Sequence, residues 1–201
     1  MTGAGAAHLT REELEARLDG VREAPTEEGT LELIVRRPAE EQRELLDSGE
    51  LDLREGVVGD MWVRRPSSSS ADGGPNPDAQ VTVMNARAAA LVANGDEPEG
   101  WAQAGDQLYV DFDLSQANLP PGSRLQIGDA VLEVSETPHL GCGKFSRRFG
   151  VDALKFVNSA DGRALRLRGV NTRVVVPGAI ARGDRVRKVP AAAEALSRAL
   201  G

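Results

Sequence analysis

Apolar residues recur along this chain mostly at the two-residue spacing of a pleated strand, and only locally at the three- and four-residue spacing of a helix. In QLYVDFD (107–113), Leu108, Val110 and Phe112 fall on one face. TLELIVRR (30–37) mixes alternation with β-branched residues, and TRVVV (172–176) is continuously apolar after Arg173, as a strand covered on both faces would be. In ALRLRG (164–169) the alternation predicts Leu165 and Leu167 facing the core and Arg166 and Arg168 facing away from it. Four Gly-Asp pairs, at 59–60, 105–106, 128–129 and 183–184, each precede an apolar run: MWV, QLYV, AVLEV and RVRKV. Glycine accepts positive φ and aspartate bonds to nearby backbone, so Gly-Asp marks turns. Four turns feeding short strands predict a barrel or a sandwich-like β core.

Helices are expected at the periphery. Thr10 and Glu13 have the spacing of a capping box, with Leu9 and Leu14 placed as a hydrophobic staple. Leu14, Leu18 and Val21 share one face, so residues 1–29 read as a helical extension packed on a core domain of residues 30–190. Pro38 predicts a short helix over 39–46. Further helical segments are expected over 85–92, stopped by Asn94-Gly95, as a pair of short turns over 145–157, and as a C-terminal helix over 191–201. PSSSSADGGPNPD (66–78) has too little apolar surface to order itself and reads as a long flexible loop, either a surface insertion or a lid.

Composition narrows the picture. At 201 residues the chain is about one domain, long enough to bury a core without staples. Its single cysteine can form no internal disulfide, which fits a reducing compartment. No signal-peptide pattern opens the sequence and no apolar run approaches the ~20 residues of a membrane helix, so the cytoplasm is expected, with no membrane partner. The net charge of −7 argues against nucleic acid as a partner. That charge is unevenly distributed. Residues 142–188 hold twelve Lys and Arg against Asp152, Asp161 and Asp184, giving +9 and leaving −16 for the remainder. This basic segment either pairs with the acidic remainder or gathers around an anion.

The candidate chemistry centres on TPHLGCGKFSRRFG (137–150). Cys142 lies between Gly141 and Gly143, which offer no side chain to shield it, and Lys144, Arg147 and Arg148 follow. A helical turn beginning near Lys144 would put the thiol at a helix N-terminus. Cations and a helix N-terminus both favour the thiolate, which is the nucleophilic and metal-ligating form. A buried, inert cysteine is the competing reading. His139 is either a partner in a Cys-His pair or a structural histidine. A closed zinc site needs four ligands, and the chain has one Cys and two His. Phosphate-loop, G-x-S-x-G and H-E-x-x-H motifs are absent.

Three stretches together resemble the MOSC domain family, the domain found at the C-terminus of molybdenum-cofactor sulfurases and in amidoxime-reducing components. They are GVVGD (56–60); LEV (132–134) leading through a proline to Cys142, Lys144 and Phe149-Gly150; and RGVNTRVVVPGAIARGDRV (168–186). Gly141 stands before the cysteine where many members carry proline. The resemblance implies a mainly β fold with peripheral α, a compact β-barrel with short helices. It also implies the molybdenum cofactor (molybdopterin), with Cys142 as catalytic residue and molybdenum ligand. The cofactor-binding set it suggests is Cys142, Lys144, Arg147, Arg168, Asn171 and Arg173, with Arg166 more a solvated surface residue. The implied activity is reduction of N-hydroxylated small molecules with electrons from a separate electron-donor protein. The alternative is a non-enzymatic carrier of cofactor, or of sulfur as a Cys142 persulfide. A weaker third reading is a Cys-His thiol hydrolase. A soft thiolate suits a heavy metal, and arginines suit a phosphate.

Overall fold

A computed structural model describes residues 8–66 and 73–190 of the chain. Its strands are β1 (Glu28–Arg36), β2 (Glu44–Leu46), β3 (Ser48–Asp52), β4 (Gly56–Val57), β5 (Val81–Asn85), β6 (Leu108–Asp111), β7 (Arg124–Ile127), β8 (Ala130–Val134), β9 (Val170–Val176), β10 (Gly178–Ala181) and β11 (Arg185–Val189). Seven of them close into a barrel in the order β1-β11-β7-β8-β9-β5-β6, with β6 returning to β1. Only the β5–β6 pair is parallel; β2 extends the sheet beyond β1, and β10, β3 and β4 form a small second sheet. Closure leaves no exposed sheet edge among the seven barrel strands.

The barrel buries apolar side chains on both faces of one wall. Leu31, Val83, Leu108, Val110, Phe112, Leu125, Leu132, Val174 and Val186 fill the interior. Leu33, Val35, Met84 and Tyr109 point outward and meet the helices. A β-bulge between Leu31 and Leu33 switches β1 from one face to the other, which accounts for the broken alternation of TLELIVRR. Gly59, Gly105, Gly128 and Gly183 all adopt positive φ, and three of these turns feed β6, β8 and β11.

Among the described residues, six short helices pack on the barrel: α1 (Arg11–Ala16), α2 (Asp19–Arg22), α3 (Ala86–Ala93), α4 (Pro98–Ala102), α5 (Gly143–Val157) and α6 (Ala160–Ala164). The Thr10/Glu13 capping box forms, and Leu9, Leu14, Leu18 and Val21 are all buried. Asn85 caps the start of α3, and Asn94, left-handed at φ 52°, ends it. The pair of short turns expected over 145–157 is present within α5 as two helical segments that meet at a kink at Gly150, where φ is 90°. A Cβ there would lie 3.0 Å from the ring of His8.

Three expected elements differ. The helix expected over 39–46 is a turn followed by β2, because Leu45 and Leu46 pair with the end of β1 and long-range pairing outweighs local propensity. MWV forms a 3-10 turn rather than a strand, since the Asp60 carboxylate caps the N–H of Trp62. ALRLRG is the end of α6 and a turn, with Arg166 at φ 50°. The Arg166 guanidinium donates to the carbonyls of Leu114 and Leu119, so this residue is half-buried rather than solvated. The helix expected over 191–201 lies outside the described residues, as do residues 67–72 of the 66–78 loop.

The turn that delivers Arg168 depends on Gly169. Its φ is +100°, and a Cβ would lie 2.4 Å from the Val83 carbonyl oxygen. Gly169→Ala is expected to cost about 2–3 kcal/mol, combining an unfavourable φ with a backbone clash. A lowered denaturation midpoint at unchanged denaturant slope would be the signature.

Candidate functional site

A cavity of about 720 Å³ opens beside the end of β1 and the starts of β5 and β6. Its walls come from the 37–43 turn, the 61–66 segment, the 104–105 loop, residues 139–148 and the Arg168–Asn171 turn. Among the described residues, seven of the lining side chains are Lys or Arg and only Glu40 and Glu41 are carboxylates. Among the described residues this is a strongly cationic concavity on an acidic protein.

One wall is built around Asp106, which is fully buried. The His139 Nε2–H donates to Asp106 Oδ1 at 2.9 Å, and the Arg168 guanidinium pairs with Oδ2. Arg168 also donates to the Ala104 carbonyl at 2.9 Å and lies 5.2 Å over the ring of Phe145. Its Nε is buried with no partner, the one such side-chain atom among the described residues. Burial pushes the Asp106 carboxyl up, but Arg168 and His139 more than offset this and hold it well below the usual carboxylate range. Burial, followed by the Arg168 charge, pushes His139 below its ordinary value, so the ring is neutral at neutral pH.

A second ion pair braces the same region. Arg37 makes a bidentate pair with the buried carboxylate of Asp60, at 2.9 Å for both bonds, and reaches the Gly105 carbonyl at 2.7 Å. The GVVGD turn is thereby tied to the Gly105-Asp106 turn.

Cys142 is exposed and occupies the N-cap position of α5, on the cavity wall. The preceding Gly141 explains the absence of proline there. Its N–H donates to Asn158 Oδ1 at 2.9 Å and its carbonyl accepts from Asn158 Nδ2 at 3.0 Å. A Cβ on Gly141 would lie 2.8 Å from Leu154. Proline would lose that donor and collide with the helix it introduces. Partial burial pushes the Cys142 thiol up, but the backbone N–H groups of Phe145 and Lys144, then the charges of Arg168 and Arg148, outweigh it, so the thiol titrates below its ordinary range.

The sequence-predicted residues divide in two. Cys142, Lys144, Arg168 and Asn171 line the cavity together with His139. Arg147 is exposed and outside the lining, and Arg173 turns outward to pair with Glu133. The basic segment therefore serves both roles considered for it. Arg173, Arg182, Arg185 and Lys188 pair with Glu133, Asp47, Glu28 and Glu27, whereas Lys144, Arg148 and Arg168 face the cavity. Lys144 and Arg148 meet the exposed Glu40 and Glu41, contacts of the kind worth at most about 1 kcal/mol. No hydrogen bond joins His139 to Cys142 among the described residues, so a Cys-His nucleophile pair is not formed. Arg37 and Arg43 were not legible as site residues, because each reaches the cavity only through tertiary contacts, with Asp60 and with the Ala102 carbonyl. Asp106 was visible only as a turn marker.

Alkylation of Cys142 by iodoacetamide should rise with pH through a midpoint below the ordinary thiol value of about 8.5. Arg148→Ala should move that midpoint upward. A wild-type midpoint at or above the ordinary value would contradict the thiolate assignment.

A family model for the MOSC domain matches residues 70–187, more than half of the chain. No curated protein matches it. Among solved structures, the YuaD protein of Bacillus subtilis is similar with a TM-score of 0.60 at 18% identity, over 80% of this chain and 95% of that one. YiiM of Escherichia coli is similar with a TM-score of 0.53 at 17% identity, over 81% of this chain and 70% of that one. At such identities the likeness concerns the fold, and the family rests on the matched residues: this closed seven-stranded barrel, with its cysteine at the cavity wall, belongs to the MOSC domain family.

Proposed function

We propose that the cavity holds the molybdenum cofactor, with Cys142 as the protein's ligand to molybdenum. The loaded protein would reduce N-hydroxylated compounds using electrons from a separate electron-donor protein. The observation that carries this reading is the exposed, acidified thiol of Cys142 on the wall of a cationic cavity. No group of three or more His, Cys, Asp or Glu able to hold a metal ion exists among the described residues. A metal at Cys142 would bring most of its coordination with it, as a dithiolene cofactor does. The cationic lining suits the cofactor's phosphate, and the unpartnered Nε of Arg168 leaves one buried donor unused by the protein.

When bound, the cofactor supplies a two-electron redox centre. The chain's residues do the rest. Cys142 presents its sulfur as thiolate, the protonation state that binds a soft metal. Arg148 and Lys144 on α5, with Arg43 beside Arg148, would offer charge-assisted donors to a phosphate, displacing the weak contacts to Glu40 and Glu41. Asn171 is oriented by donating to the Thr137 carbonyl at 3.1 Å. The exposure of Cys142 also supports a second reading, a carrier that presents cofactor or a persulfide sulfur to another enzyme.

Protein produced in a cofactor-competent host should contain molybdenum, and Cys142→Ser should lose it while keeping its fold. A hydroxyl is far less acidic and a harder ligand than a thiol. Full molybdenum in the variant, or none in the wild type, would rule out the ligand role. Arg148→Ala should retain cofactor about tenfold less tightly through dialysis, from the loss of one charge-assisted contact. Turnover of an amidoxime or hydroxylamine with a low-potential dye separates the enzyme from the carrier.

A further inference from the structure

His139 is the one imidazole in the cavity lining, and its two nitrogens have different surroundings. Nε2 is engaged with Asp106 Oδ1 at 2.9 Å. An ionised carboxylate only accepts hydrogen bonds, so Nε2 carries the proton and Nδ1 of the neutral ring carries a lone pair. Nδ1 has no hydrogen-bond partner among the described residues, and it is not among their buried, unpartnered side-chain atoms. The His139 side chain is 17% exposed, on the cavity side. The charged groups acting on the ring are Arg168, Asp106 and Arg37. Asp106 is itself clamped by Arg168, so the ring is oriented by a rigid, buried partner rather than by solvent.

We infer that His139 is a catalytic residue whose Nδ1 takes the hydroxyl proton of a bound hydroxylamine and returns it to the substrate nitrogen. This rests on the reductase reading above. The balance is simple. In R–NH–OH the N–O bond breaks, the hydroxyl proton moves by way of Nδ1 to nitrogen, and R–NH2 leaves. The oxygen left behind becomes water by taking two protons from solvent and two electrons from the low-potential donor. The base must be neutral when the substrate arrives, and burial beside Arg168 keeps it so. The relay also discriminates among substrates. Compounds with a hydrogen on the oxygen, the hydroxylamines and amidoximes, offer Nδ1 a donor, whereas a tertiary amine N-oxide has no such hydrogen and needs no relay.

Two measurements test this. In cofactor-free wild type, the imidazole 15N shifts of His139 should show a protonated Nε2 and an unprotonated Nδ1, and the signals are assigned by their loss in His139→Gln. A protonated Nδ1 would overturn the inference, because it could not accept. In cofactor-loaded protein at matched molybdenum content, His139→Gln should lower the ratio of kcat/KM for an arylhydroxylamine to that for a tertiary amine N-oxide by about a hundredfold or more, the scale of a lost proton-transfer group. An unchanged ratio, whether both activities fall together or neither does, would assign His139 a merely structural role. If the loaded wild type turns over neither compound, the reductase reading itself fails, while the ring-nitrogen measurement still stands on its own.

Discussion

The fully buried carboxylate of Asp106 holds the candidate site together. A charge in that position is tolerated only if it is paired, and two partners reach it from distant parts of the chain: Arg168 from the turn after α6 and His139 from the segment after β8. Removing one partner of such a pair typically costs about 3–5 kcal/mol, because the other charge is left buried and unpaired. The backbone around Asp106 is equally committed. The Ala104 carbonyl accepts from Arg168 and the Gly105 carbonyl from Arg37. Arg37 in turn is fixed by Asp60, so one Gly-Asp turn anchors another and the cavity wall forms as a unit.

The barrel supplies the rigidity this arrangement needs. Its interior and the outer face that meets the helices are both apolar, so the wall between them is fixed from two sides. The helix that presents Cys142 belongs to the outer cluster through Phe145, Phe149 and Phe156. The ring of Phe145 also lies under the Arg168 guanidinium, which couples the packing of α5 to the ion pair at Asp106. Gly141, held at both backbone groups by Asn158, sets where the helix begins and therefore where the thiol sits.

The site combines two electrostatic environments. Near Asp106 the charges are desolvated and mutually satisfied, which stiffens the wall and keeps His139 neutral. Away from Asp106, the charges of Lys144 and Arg148 meet only exposed glutamates, although Arg148 also donates to the Gln103 carbonyl at 2.9 Å, so both charges remain available to an anion. Backbone N–H groups at the start of α5 add to the attraction for negative charge at the Cys142 sulfur. A fixed inner wall beside an exchangeable cationic rim would suit the anionic cofactor proposed for this cavity.

The strand-rich class, four Gly-Asp turns, the capped first helix and α3 were legible in the sequence, because alternation, positive-φ glycines and capping side chains act over a few residues. So was Cys142 at a helix start, since the flanking glycines and following cations are adjacent in the chain. Long-range contacts settled the rest. Leu45 and Leu46 became a strand because β1 offered a pairing edge, and Arg166 was drawn to the carbonyls of Leu114 and Leu119. Arg168 and Arg173 sit five residues apart in one basic segment, yet one is buried against Asp106 and the other faces outward onto Glu133. Charge alone does not distinguish them. A buried ion pair depends on which carboxylate the closed barrel brings within reach, and that is settled by contacts between residues far apart in sequence.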